Sequence, residues 1–112
     1  MMTSEVNKQA ISAGQLHALI ESGNAPAIVD VRFGTEFVAG HVPGAIHLPF
    51  WLAFVRARGL DLPRDKPVVV YCAHGPRAAL GKLALKLAGF KRVHYLKGHM
   101  SGWIRAGLTV EK

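Results

Sequence analysis

The feature that most constrains this chain is one continuous segment, VVVYCAHGPRAALGKLALKL, at residues 68–87. It opens with four apolar or aromatic residues without polar alternation, which is typical of a strand covered on both faces. It closes with apolar residues at three- and four-residue spacing, which predict a helix. These residues are Leu80, Leu83, Ala84 and Leu87. A buried strand that leads through a short loop into a helix predicts an α/β fold.

Strands and helices alternate along the rest of the chain. The predicted strands cover residues 27–31, 45–48, 68–71 and 93–96. The other predicted helices begin after Ser12, where Gln15 completes a capping-box pattern, and cover residues 51–58 and 99–106. This alternation predicts a central parallel sheet with helices on both faces. A length of 112 residues, half of them apolar, supports one domain. We assign it to residues 11–112, after a poorly ordered N-terminal extension at residues 1–10.

The loop between the strand and the helix carries reactive residue types. Cys72 follows the strand directly, and the carboxyl ends of parallel strands are where ligands bind. Backbone N–H groups of a loop that enters a helix form an anion-binding concavity, which also favours a thiolate over a thiol. Arg77 adds a fixed positive charge that can bind two oxygens of an oxyanion, and Gly75 allows close approach. We predict a nucleophilic Cys72 within a substrate cradle. The cradle residues are Ala73, His74, Gly75, Pro76 and Arg77.

Charge and cysteine content limit the classes of function. Residues 51–112 hold twelve basic and three acidic side chains, so this half attracts anions. Lys82, Lys86, Lys91, Arg92 and Lys97 are candidates for steering them. No recognition-helix or aromatic-basic pattern indicates a nucleic-acid partner. The longest uncharged stretch, residues 37–55, is broken by glycine and proline and predicts no membrane span. A single cysteine and no secretory signal favour the cytoplasm.

The six histidines do not predict a metal site. None of them forms a pair at four-residue spacing on a predicted helix, and one thiol cannot complete a usual zinc site. We therefore expect no metal and no cofactor.

Oligomeric state is left open by the sequence. Trp103 is predicted to anchor the core, whereas Trp51 either covers the sheet or lies at the rim of the cleft.

Three blocks of sequence resemble a known family, the rhodanese domain of single-domain sulfurtransferases. The first block, at residues 30–49, contains DVR, EF and GHVPGA. The second is the loop CAHGPR, and the third is LKG followed by Trp103 and Gly107. The resemblance implies that Cys72 takes a sulfane sulfur from a small anionic donor such as thiosulfate and holds it as a persulfide. It further implies transfer to cyanide, a thiol or a partner protein.

Two other functions fit the same fold. Related phosphatases and arsenate reductases place five residues between Cys and Arg, whereas four residues separate Cys72 from Arg77 here, which favours a sulfur atom over a phosphoryl group. A noncatalytic binding module is the second alternative, but such a module needs no thiol at this position. The chain departs from the family pattern at Ala73, where a basic residue is frequent, and at His99, where a second glycine is common.

Asp30 and Arg32 are predicted to support the site. Asp30 ends a strand, so it can orient the cysteine loop or act in catalysis, but a carboxylate paired with Arg32 or with a loop N–H is the expected arrangement. If the turn that follows is helical, Glu36 lies four residues after Arg32, and the two side chains would form a weak ion pair.

Overall fold

The computed structural model describes residues 10–112, in which five parallel strands form one sheet. The strand order is β1-β5-β4-β2-β3. The strands are β1 (Ala10–Ile11), β2 (Ala27–Asp30), β3 (Ile46–His47), β4 (Val68–Tyr71) and β5 (Val93–Leu96). The predicted parallel sheet is confirmed. The predicted N-terminal extension lies outside the described residues, apart from Ala10, which begins β1.

Residues 10–112 contain five α-helices, four of which lie between strands and the last of which follows β5. They are α1 (Ala13–Glu21), α2 (Gly34–Ala39), α3 (Ala53–Arg56), α4 (Pro76–Leu87) and α5 (His99–Arg105). Helix α1 begins with the predicted capping box, in which the Gln15 N–H donates to Ser12 Oγ and the Ser12 N–H donates to Gln15 Oε1. Helix α3 is shorter than predicted and continues as a 3₁₀ turn at Ala57–Gly59. Helix α2 exposes most of its side chains and buries none of them fully, so it has no apolar period that the sequence could reveal.

The central strand β4 divides the core into two layers. Val68 and Val70 lie in a layer with residues of α3 and α4, whereas Val69 and Tyr71 lie in a layer with residues of α1 and α5. All four residues of β4 are buried. Helices therefore cover both faces of the sheet, as the unbroken apolar strand predicts.

Helix α4 does not turn the leucines of its apolar spacing toward the sheet. Leu80, Leu83 and Leu87 are 43%, 51% and 66% exposed, and the buried residues are smaller apart from one leucine. They are Ala78, Gly81, Ala84 and Leu85. A Cβ on Gly81 would lie 2.8 Å from Val31 Cγ1. At Gly81 the helix thus packs too close to the sheet for a larger side chain to fit between them, and Leu80, Leu83 and Leu87 face outward.

The two tryptophans have different roles. Trp103 on α5 is fully buried and its indole N–H donates to the carbonyl oxygen of Thr109, as expected of a core anchor. Trp51 is half-exposed and its ring packs 5.2 Å from that of Phe33, measured between ring centroids.

Within residues 10–112, no helix has both the length and the apolar character that crossing a bilayer requires.

Candidate active site

The site lies where β4 ends and α4 begins. Cys72 follows Tyr71, the last residue of β4, at the carboxyl edge of the sheet. Pro76 is the first residue of α4, where its fixed φ suits a helix and its missing N–H costs nothing. Gly75 caps the helix with φ of 141°, a backbone conformation that favours glycine. The loop thus turns sharply and directs its N–H groups toward the cysteine.

The thiol of Cys72 is buried and held by N–H donors. Its Sγ accepts a hydrogen bond from the Gly75 N–H at 2.9 Å. Burial raises the pKa of this thiol, but hydrogen bonds from the His99 side chain and from three backbone N–H groups outweigh burial and lower the pKa to about 7. Those N–H groups belong to Ala78, Gly75 and His74. A large fraction of Cys72 is therefore the thiolate at neutral pH.

The N-terminal turn of α5 supports the other side of the loop. The Met100 N–H donates to the Cys72 carbonyl oxygen at 2.9 Å, and the Ser101 N–H donates to the Ala73 carbonyl oxygen at 3.2 Å. The Cys72 N–H donates to His99 Nδ1 at 3.2 Å. Sequence reasoning placed His99 at the start of a predicted helix, as a departure from the family pattern, and missed this contact, because residues 72 and 99 become neighbours only through the parallel pairing of β4 with β5.

Arg77 is engaged by a carboxylate. Its Nη1 and Nη2 donate to Glu36 Oε1 and Oε2 at 2.7 and 3.0 Å. The hydrogen bond to Glu36 raises the pKa of Arg77, and the same contact lowers the pKa of Glu36. The expected ion pair between Arg32 and Glu36 is wrong, because Glu36 extends across to α4. An oxyanion that binds Arg77 must compete with this carboxylate.

Asp30 and Arg32 form a separate buried unit. Both oxygens of the Asp30 carboxylate accept hydrogen bonds from Arg32. Oδ1 accepts from the Arg32 backbone N–H at 2.9 Å and from Nε at 3.1 Å, and Oδ2 accepts from Nε at 3.0 Å and from Nη2 at 2.7 Å. Arg32 Nη2 also donates to the Gly40 carbonyl oxygen, and the Val42 N–H donates to the Tyr71 hydroxyl. These bonds fasten residues 40–42 to the sheet. The carboxylate is paired with Arg32, which is the arrangement expected from its position at the strand end.

The remaining cradle residues contribute backbone more than side chains. His74 and Pro76 are exposed and Ala73 is partly exposed.

Within the described part of the chain, no group of three or more His, Cys, Asp and Glu side chains is arranged to hold a metal ion. A cavity of about 930 Å³ lies near the amino ends of β2 and β4 and does not include Cys72 among its lining residues. A second cavity, of about 520 Å³, lies on the side of the cysteine loop. Its lining includes Glu36 on α2, which binds Arg77, and Met100 on α5, which binds the Cys72 carbonyl oxygen.

Comparison with known proteins gives consistent results. The sequence profile of the rhodanese-like domain matches residues 12–106. A protein of Allochromatium vinosum named sulfurtransferase is 35% identical over 83 residues, which is 74% of this chain and 76% of that protein. The thiosulfate sulfurtransferase GlpE of Actinobacillus pleuropneumoniae is 35% identical over 102 residues, 90% of this chain and 91% of that protein. The crystal structure of the Alr3790 protein of Anabaena sp. superposes with a TM-score of 0.81 at 29% identity, covering 90% of both chains.

Proposed function

Because this chain belongs to the rhodanese-like domain family, we propose that it is a sulfurtransferase that carries a sulfane sulfur as a persulfide on Cys72. One observation carries the proposal: the Cys72 thiol lies among N–H donors that lower its pKa to about 7. A cysteine with a purely structural role in an apolar core would have a raised pKa. The naming of two relatives as sulfurtransferases supports the same reaction class.

The first half-reaction loads the cysteine. The Cys72 thiolate attacks the outer sulfur of a donor such as thiosulfate, and a bond forms between Sγ and that sulfur. The S–S bond of the donor breaks, and sulfite leaves with the bonding electron pair. The new persulfide is an anion, and the N–H groups of His74, Gly75 and Ala78 are positioned to stabilise it.

The second half-reaction unloads the cysteine. A thiolate or cyanide attacks the outer sulfur of the persulfide, the bond between the two sulfurs breaks, and Cys72 returns as a thiolate. The same N–H donors stabilise the leaving sulfur, so a single thiol is sufficient for the complete cycle. We propose that the acceptor is a small thiol or a protein thiol.

Arg77 is proposed to hold the oxyanion end of the donor. Its planar guanidinium can bind two sulfonate oxygens, the same geometry that it uses to bind Glu36. The donor therefore exchanges with the Glu36 carboxylate when it binds. The compartment we propose is the cytoplasm, because an unpaired reactive thiol persists under reducing conditions.

The alternatives fit the site less well. Only four residues separate Cys72 from Arg77, so the loop offers fewer N–H groups than the five-residue loop of the related phosphatases. A noncatalytic module would have no need for the donors that lower the thiol pKa.

Steady-state turnover tests the function. Protein supplied with thiosulfate and cyanide should release thiocyanate and sulfite in equal amounts. Cys72→Ser should reduce turnover by at least about a thousandfold, because a serine hydroxyl is not ionised near neutral pH. If Cys72→Ser turned over at the wild-type rate, the reaction would not pass through Cys72.

A further inference from the structure

His99 contacts the reactive cysteine through one defined ring nitrogen. Nδ1 accepts the Cys72 backbone N–H at 3.2 Å. A backbone N–H can only donate, so Nδ1 carries no proton in this arrangement, and the neutral ring holds its proton on Nε2. The contact thus fixes both the orientation of the ring and its tautomer.

The second ring nitrogen faces the loop that surrounds the sulfur. Nε2 lies 3.4 Å from the position that a Cβ on Gly75 would occupy. The Gly75 N–H is the group that donates to Cys72 Sγ. Nε2 of His99 therefore lies beside the cradle, and glycine at position 75 leaves room for the ring.

The backbone of His99 is strained for a residue with a side chain. Its φ is 54°, and among the described residues it is the one non-glycine residue with positive φ. Gly98 before it also has positive φ, of 82°. Glycine would adopt both conformations without penalty, so the imidazole is kept at a backbone cost. Residues held in such conformations are concentrated at functional sites.

We propose that His99 is a positioning residue for Cys72, whose neutral ring holds the cysteine backbone and presents Nε2–H to the anionic sulfur. The inference rests on the proposed function for its biological meaning. The lowered pKa of Cys72, to which the His99 side chain contributes the largest lowering effect, agrees with this geometry.

Protonation of His99 should dismantle the arrangement. In the imidazolium both nitrogens are donors, so Nδ1–H would oppose the Cys72 N–H and the ring would have to turn. Three other titratable or charged groups act on the sulfur. These are Arg77 of α4, Tyr95 of β5 and His74 of the loop, the last through its backbone N–H. Arg77 and Tyr95 stay in one protonation state from pH 5 to 8.

The test measures thiol reactivity against pH in the full chain. The rate of alkylation by iodoacetamide between pH 5 and 10 reports the thiolate fraction of Cys72. In wild type the midpoint should lie near 7. In His99→Gly the midpoint should rise toward about 8.5, the value of an unperturbed thiol, and alkylation at pH 7 should slow by about tenfold. Thermal stability should not fall, because glycine relieves the positive φ at position 99.

Two further variants complete the design. His99→Asn tolerates positive φ and its side-chain oxygen can accept the Cys72 N–H, but it lacks Nε2–H, so its midpoint should also rise. His94→Gln is the matched control, because His94 lines cavities away from Cys72, and its midpoint should equal that of wild type.

A folded His99→Gly or His99→Asn protein with an unchanged midpoint would overturn the inference. Alkylation needs no sulfur donor, so the role of His99 and the proposed function can fail separately. A raised midpoint in a protein that forms no persulfide would support the role of His99 and reject the sulfurtransferase.

Discussion

At the scale of single residues, the candidate site contains one cysteine and two ion pairs. The Asp30 and Arg32 pair is buried and fastens the chain to the sheet. The Glu36 and Arg77 pair is partly exposed and lies beside the cysteine loop, with Arg77 positioned over the ring of Phe33. We interpret the first pair as structural and propose that a donor anion displaces the second.

Glu36→Gln should strengthen donor binding. Gln keeps an oxygen that can accept the Phe33 N–H, which Glu36 now binds at 2.9 Å, but it removes the charge that competes with the donor for Arg77. We expect KM for thiosulfate to fall about threefold to tenfold, with alkylation by iodoacetamide unchanged because this reagent is neutral. A raised KM would indicate that Glu36 orients Arg77 for the donor.

The same pair predicts an acid dependence of stability. The pKa of Glu36 is lowered in the folded protein by the hydrogen bond to Arg77. Its stabilisation is therefore complete above the unfolded value of about 4.3 and is lost as pH falls through the lower folded value. Because both side chains are partly exposed, the pair should contribute only about 0.5–1 kcal/mol. Between pH 7 and pH 3, the free energy of unfolding in urea should fall more for wild type than for Glu36→Gln.

At the scale of secondary-structure elements, the close approach of α4 to the sheet is the decisive feature. Gly81→Ala should destabilise the protein by about 1–3 kcal/mol, because the new methyl group would collide with Val31 and Val70, whose branched side chains are stiff. Gly14→Ala in α1 is the control. A Cβ there meets nothing within 4 Å, so it should leave stability unchanged or raise it by about 0.5 kcal/mol. Equal midpoints of urea unfolding for the two variants would contradict this packing.

The elements also define what the sequence could predict. The strand, loop and helix from Val68 to Leu87 were predictable because their periods differ and Pro76 marks the helix start. The buried face of α4 was not predictable from its spacing, because apolar residues lie on both faces and the small residues Ala78, Gly81 and Ala84 are the ones that approach the sheet. The pairing of Glu36 with Arg77 and the contact of His99 with Cys72 join residues 41 and 27 positions apart. Periodicity within a window cannot reveal such contacts.

At the scale of the whole molecule, we propose that net charge and its placement affect the approach of an anionic donor. The chain carries a formal charge of +7. Four cations predicted to steer anions, Lys82, Lys86, Lys91 and Arg92, line a cavity of about 470 Å³ at the flank of α4 that does not include Cys72. We therefore expect any influence of these cations on the site to act as a long-range field, which salt screens.

Salt should slow loading of the cysteine by an anion and not by a neutral reagent. Raising ionic strength from about 0.01 to 0.1 M shortens the Debye length from about 30 to 10 Å, so the second-order rate constant for thiosulfate should fall by about twofold to fivefold. The rate constant for iodoacetamide should stay constant. Equal salt dependence for both reagents, or none for thiosulfate, would exclude electrostatic steering.

The central claim is that Cys72 holds a transferable sulfur as a persulfide, and intact-mass measurement tests it most directly. Wild-type protein incubated with thiosulfate and freed of the donor should gain the mass of one sulfur atom, release one equivalent of sulfite, and lose the added mass when a thiol is supplied. Cys72→Ser should gain no mass under the same conditions. An unchanged wild-type mass while iodoacetamide still labels Cys72, or a sulfur added equally to Cys72→Ser, would contradict the account.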